Sequence, residues 1–155
     1  MEGGWQSLLL FSTKRNSFPT KIPVEIFPTP KEGSKYAAAE IGKLIKQKQK
    51  ENKPCVLGLA TGSTPISMYK ELVRLHKEEG LSFKNVITFN LDEYFPIARN
   101  AFQSYWSFMH RHLFDHIDID AANIHVPNGE LSKEEAKQLI EESIEKIPYC
   151  KYNRT

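Results

Sequence analysis

The sequence predicts an α/β protein built on an open, mainly parallel sheet with helices on both faces. Three observations carry that prediction. Short apolar runs of strand length, "PCVLGLA" at 54–60 and "NVITFNL" at 85–91, alternate with longer segments of helical periodicity. The first run is apolar throughout, as in a parallel strand covered on both faces. A tight Gly-Ser-Thr-Pro turn at 62–65 leads from it into a helical pattern, giving strand, loop, helix and strand in the order of a βαβ unit.

Taken in order, residues 1–20 read as a flexible extension. Their apolar patch, Leu8–Phe11, is short and its cations follow it, which makes a poor secretory signal; the Ser, Thr, Lys and Arg content leaves a transit peptide as the weaker reading. "IPVEIFPTP", 22–30, is an edge-strand candidate closed by Pro28 and Pro30. Ser34 is then a candidate N-cap for a helix with Ala37, Ile41, Leu44 and Ile45 on one face and lysines towards its end. After the first strand, Thr64 offers a hydroxyl cap and Pro65 the first helical position. Met68, Tyr69, Leu72, Val73 and His76 follow at helical spacing, and Gly80 stops the helix. Residues 102–117 predict a further helix. Residues 132–147 predict the last one, with a Ser132/Glu135 capping box and an Ala136, Leu139, Ile140, Ile144, Ile147 stripe.

The chain has 155 residues, which suits one domain burying roughly 70% of its unfolded surface. Twenty-one basic against 19 acidic side chains leave a net charge of +2 with no like-charge block, which argues against nucleic acid or an anionic membrane as partner. No run approaches the roughly 18 apolar residues of a membrane span. The expected partner is a small molecule. Cys55 and Cys150 lack metal-ligand spacing, and Cys55, inside an apolar run, reads as a buried free thiol of a reducing compartment.

Two stretches carry chemistry, and both fall where ligands bind in such sheets, beyond the carboxyl ends of strands. "TGSTP", 61–65, is either an anion cradle or an ordinary strand-to-helix turn. As a cradle, Gly62 lets the backbone come close, Ser63 and Thr64 supply hydroxyls, and the helix N-terminus offers free amides. It lacks the Gly-Lys-Ser/Thr ending of a Walker loop. In "NLDEY", 90–94, Asp92 and Glu93 either cap the next segment or work on substrate. Their apolar company, Phe89, Leu91, Tyr94 and Phe95, would strip hydration from a carboxylate and make it a better proton acceptor from carbon. A carboxylate base facing a phosphate cradle suits isomerisation of a sugar phosphate. His112 and His116 have the half-spacing of a zinc site without a third ligand. His76 and His110 read as core-edge hydrogen bonders, and His125 precedes a loop.

"LGLATGSTPISMYKELVRLHKEEGLSFKNVITFNLDEYF" with "QSYWSFMHRHLFDHIDIDAANIHVPNG" resembles the N-terminal half of the glucosamine-6-phosphate deaminase family, from about Pro54 to Gly129. The resemblance implies a Rossmann-like sheet and a cofactor-free aldose-ketose isomerisation that releases ammonia and yields fructose 6-phosphate. It also implies a cytoplasmic location and a homo-oligomer in the complete protein. By position Asp92 is the base moving a proton between C2 and C1, Glu93 its neighbour in the site, and Thr61, Gly62, Ser63 and Thr64 part of the phosphate cradle; no metal is implied. The family's later glycine-rich strand-loop, with its Asp, His and Glu, has no counterpart before the divergent tail 148–155. Residues 21–147 are therefore expected to be the N-terminal part of the domain, with a sheet incomplete on its C-terminal side, a partial site, and catalysis by the chain alone left open. The loop "YFPIARNAFQSYW", 94–106, differs from the family's commoner form. Alternatives are a 6-phosphogluconolactonase-like hydrolase and a non-catalytic sugar phosphate binding module.

Overall fold

The computed structural model describes residues 24–145. The extension 1–20, Cys150, the tail 148–155 and the apolar stripe of the last helix lie outside what is described. The elements run α1 (Pro30–Lys50), β1 (Cys55–Leu59), α2 (Ile66–Glu79), β2 (Val86–Asn90), α3 (Tyr105–His112), β3 (Ile124–His125) and α4 (Lys133–Glu145), with single 3₁₀ turns at Phe114–His116 and Ala121–Asn123. The three strands form one sheet in the order β1-β2-β3, all parallel, with Cys55 opposite Val86 and Phe89 opposite His125. The open parallel α/β sheet and its βαβ unit are as predicted. β3 is the strand that pattern alone missed, since two residues carry no alternation.

In register, Cys55, Leu57 and Leu59 lie beside Val86, Thr88 and Asn90 on one face of the sheet. That face joins Ala38 and Ile45 of α1, Tyr69 and Leu72 of α2 and Met109 of α3 in a single core. On the other face Val56 is 39% exposed and Gly58 is open, so the two-sided cover expected for the 54–60 run is not what β1 has among the described residues. Cys55 is a buried free thiol as expected, and burial pushes its pKa up, away from reactivity.

Helix starts differ from the sequence reading for local reasons. α1 begins at Pro30 because Thr29, in extended conformation, accepts a hydrogen bond from the Glu32 amide at 3.3 Å, and Pro30 supplies the preset φ of a first helical residue; Ser34 lies inside the helix. The fully buried residues of α1 are Ala38, Gly42 and Ile45, with Ile41 packed on the same core and Leu44 40% exposed; Leu75 and Leu81 lie beside Gly42 where α1 crosses α2. Val24–Phe27 forms no strand; Val24 and Ile26 are exposed, and Phe27 instead packs on Tyr36, whose hydroxyl donates to Glu25. In α2 the cap position falls to Pro65 with no side-chain bond, so Thr64 does not cap, whereas Gly80 ends the helix at φ 69° as its position predicted. α3 is shorter than the periodicity suggested because the backbone leaves helical angles at Leu113, which puts His112 and His116 on different elements. The Ser132/Glu135 box does form, through reciprocal bonds of 2.9 and 3.3 Å.

The connection from α2 into β2 is held by Asp118, which accepts from the Ser82 hydroxyl at 2.7 Å and the Phe83 amide at 2.5 Å, with His76 Nδ1 at 3.7 Å. Burial alone would raise this carboxyl's pKa, but those bonds and His76 hold it below the usual carboxylate value. A depressed carboxylate stabilises the fold above its unfolded pKa of about 3.9, and that contribution disappears as pH falls through the folded value. Asp118→Asn is therefore expected to cost about 1–3 kcal/mol at pH 7 in urea unfolding, with the difference from wild type closing as the pH falls below about 4. A gap that persists undiminished at low pH would show that the charge is not what matters.

Candidate active site

The loops leaving β1 and β2 open onto one cleft of about 780 Å³ at the carboxyl ends of the strands. Thr61 lines one side, Asp92 and Arg99 the other, and Phe89 and His125 the floor. Two buried side chains fix the strand ends beneath it. The Tyr69 hydroxyl donates to the Ala60 carbonyl at 2.5 Å, and burial, against that bond, pushes the phenol up to about 12. The Asn90 amide donates to the Leu59 carbonyl at 3.1 Å, which ties β2 to β1 one residue before the loops diverge.

The structure divides the two predicted clusters. Thr61 lines the cleft, whereas Gly62, Ser63 and Thr64 sit exposed beyond its rim. Gly62 has φ 94°, a left-handed angle that glycine adopts without strain, and a Cβ there would meet nothing within 4 Å. The backbone amides of residues 62–64 donate to no acceptor among the described residues. Of the acid pair, Asp92 faces the cleft and is exposed. Leu91, at 92% exposure, and Tyr94, at 54%, also point to solvent, so the apolar crowding suggested by the sequence neighbours is absent.

Glu93 turns away from the cleft to α3. Its carboxylate accepts from the Tyr105 amide at 2.8 Å, the Trp106 amide at 3.0 Å and its neighbouring Tyr94 amide at 2.9 Å. This is the capping alternative, realised for one acid of the two. The same loop is tied to the far side of the cleft by the Ile97 amide, which donates to the Gly129 carbonyl at 3.0 Å. Gly129 is buried against Tyr94 and Ile97 with no room for a side chain.

His125, which in the sequence only precedes a loop, is the second residue of the short strand β3. In register with Phe89, its ring stacks on that phenyl at 4.5 Å and 14°, inside the cleft. Burial lowers its pKa, which keeps the imidazole neutral near pH 7. His76 and His110 are hydrogen bonders at the core edge, to the Leu81 carbonyl and Asp115 respectively, each at 2.6 Å. Among the described residues no group of three or more His, Cys, Asp or Glu side chains is gathered as a metal site.

The family described as glucosamine-6-phosphate isomerases/6-phosphogluconolactonase matches residues 28–153. The chain belongs to this family. A glucosamine-6-phosphate deaminase-like protein of Bacteroides thetaiotaomicron is 45% identical over 128 residues, 81% of this chain and 19% of that protein. A glucosamine-6-phosphate deaminase of Porphyromonas gingivalis is 64% identical over 77 residues, half of this chain and 29% of that enzyme. The solved structure of a monomeric glucosamine-6-phosphate deaminase superposes with a TM-score of 0.66 at 38% identity, covering 74% of this chain and 48% of that one. A 6-phosphogluconolactonase from Thermotoga maritima shares the fold at a TM-score of 0.60 and 20% identity. The chain thus spans half or less of these relatives. Among the described residues no helix is long and apolar enough to cross a membrane.

Glu93→Ala frees two amides at the start of α3 and is expected to cost about 1–2 kcal/mol in urea unfolding, with altered Trp106 fluorescence. A variant as stable as wild type would remove Glu93 from that role. Gly129→Ala would press a methyl group on the Tyr94 carbonyl and is expected to cost about 1–3 kcal/mol; an unshifted thermal midpoint would contradict the close packing.

Proposed function

We propose that residues 21–147 are the N-terminal part of a glucosamine-6-phosphate deaminase, with 1–20 as an extension and 148–155 as a tail. In this reading the chain supplies the proton-transfer base and one side of the phosphate cradle for conversion of glucosamine 6-phosphate to fructose 6-phosphate and ammonia. The observation that carries it is the meeting of Thr61 and Asp92 in one cleft at the carboxyl ends of two adjacent parallel strands. Relatives at 45 and 64% identity bear the deaminase name, while the Thermotoga lactonase, at 20% identity, resembles the chain in fold alone, and this favours the deaminase over the lactonase.

The phosphate sits on the unengaged amides of residues 62–64, with the Ser63 and Thr64 hydroxyls beside it and the α2 N-terminus behind. The sugar then runs into the cleft with C1 and C2 beside Asp92, whose carboxylate takes a proton from one carbon and returns it to the other. Glu93 is a positioning residue, since its carboxylate is occupied by α3. Ring opening and the basic remainder of the phosphate clamp fall to the segment that complete family members carry after this one. No cofactor takes part in this scheme. The complete protein is read as a cytoplasmic homo-oligomer.

The test is ammonia release from glucosamine 6-phosphate by this chain joined to the C-terminal half of a family deaminase, with 6-phosphogluconolactone as competing substrate. Ammonia is expected, and Asp92→Asn should lower turnover by about 10²–10⁴ while sugar phosphate binding, read by calorimetry, persists. Unaltered turnover would overturn the base assignment. Lactone hydrolysis without ammonia would favour the lactonase, and binding without turnover a non-catalytic module.

A further inference from the structure

A second groove, of about 640 Å³, lies along α3 and is walled by the atypical loop 94–104. Two guanidiniums border it. Arg99 is held 4.0 Å over the Trp106 ring and Arg111 3.9 Å over the Phe102 ring. Neither makes an ion pair with a carboxylate among the described residues, in contrast to Arg74, which holds three glutamates.

Two acids share the groove and neither is bonded to a guanidinium: Asp115 is held by His110 at 2.6 Å, and Glu130 accepts from the Arg99 backbone amide at 3.3 Å. The Arg99 backbone is itself pinned, because its carbonyl accepts from the Ser104 hydroxyl at 2.7 Å and the Ser107 hydroxyl at 3.1 Å. Two unpaired guanidiniums, each stacked on an aromatic face, are arranged in advance to receive an oxyanion through paired N–H donors.

We propose that this groove is a second anion site, separate from the 61–64 loop, that takes a phosphomonoester or inorganic phosphate between Arg99 and Arg111. Arg99 lines the first cleft as well, so the two sites share one wall. The proposal does not depend on the chemistry assigned to Asp92.

The experiment is a titration of the full chain carrying Trp5→Phe, which leaves Trp106 as the sole indole, with inorganic phosphate and then phenyl phosphate at constant ionic strength. A saturable change in Trp106 fluorescence is expected. Arg111→Gln should weaken it about tenfold or more, Arg111→Lys should weaken it less, and Ser63→Ala should leave it intact. Saturation by phenyl phosphate alone would identify an esterified phosphate as the ligand, and saturation by both would identify the bare oxyanion. No saturable change with either probe would overturn the site. So would a response that survives Arg111→Gln but is lost with Ser63→Ala, since the phosphate would then lie on the 61–64 loop.

Discussion

The carboxylate of Glu93 joins the loop that leaves β2 to the start of α3. Glu93 lies three residues beyond Asn90, the last paired residue of β2, and satisfies amides at the start of α3 that Ser104, the other cap, does not reach. A negative group at a helix N-terminus is favoured by both hydrogen bonding and the helix dipole. The consequence falls on its neighbour. Asp92 is bracketed by Asn90, locked to β1, and Glu93, locked to α3, so its place at the cleft mouth is set from both sides although its own side chain is exposed.

The same segment continues into loop 94–104, whose irregular path is stabilised from two directions. Its middle is tied to the β3 side through Ile97 and Gly129, and its end is drawn onto α3 by the serines that hold the Arg99 carbonyl. A loop fixed at that many points behaves as part of the scaffold. It can therefore present Arg99 to two cavities without the ordering cost that a free side chain on a free loop would incur.

Much of this was legible in the sequence. Apolar runs of strand length and the Gly80 and Ser132/Glu135 signals fixed the position of β1, β2, the end of α2 and the start of α4, because those signals act locally. Thr29 was overlooked because Pro28 and Pro30 on either side of it read as the end of a strand, when Pro30 opens α1. Of the face that periodicity predicts for α1, Ile45 is buried and Ile41 packs on the core while Leu44 is exposed; the small residues Ala38 and Gly42, to which an apolar pattern gives little weight, complete it. β3 was missed, and with it His125, because a two-residue strand is defined by its partner. The acid pair was found, but its division of labour depends on which carboxylate can reach α3, and that is a matter of tertiary geometry.

The hydroxyl of Tyr69 reaches up from beneath the sheet to grip the Ala60 carbonyl, while Pro65 begins the first turn of α2. Only four residues, 61–64, span these two fixed posts, and one of them is a left-handed glycine. A span so short has few conformations to lose. The amides of 62–64 therefore hold nearly fixed directions, and a side chain placed at Gly62 would be felt as strain in the turn and not as a clash with a neighbour.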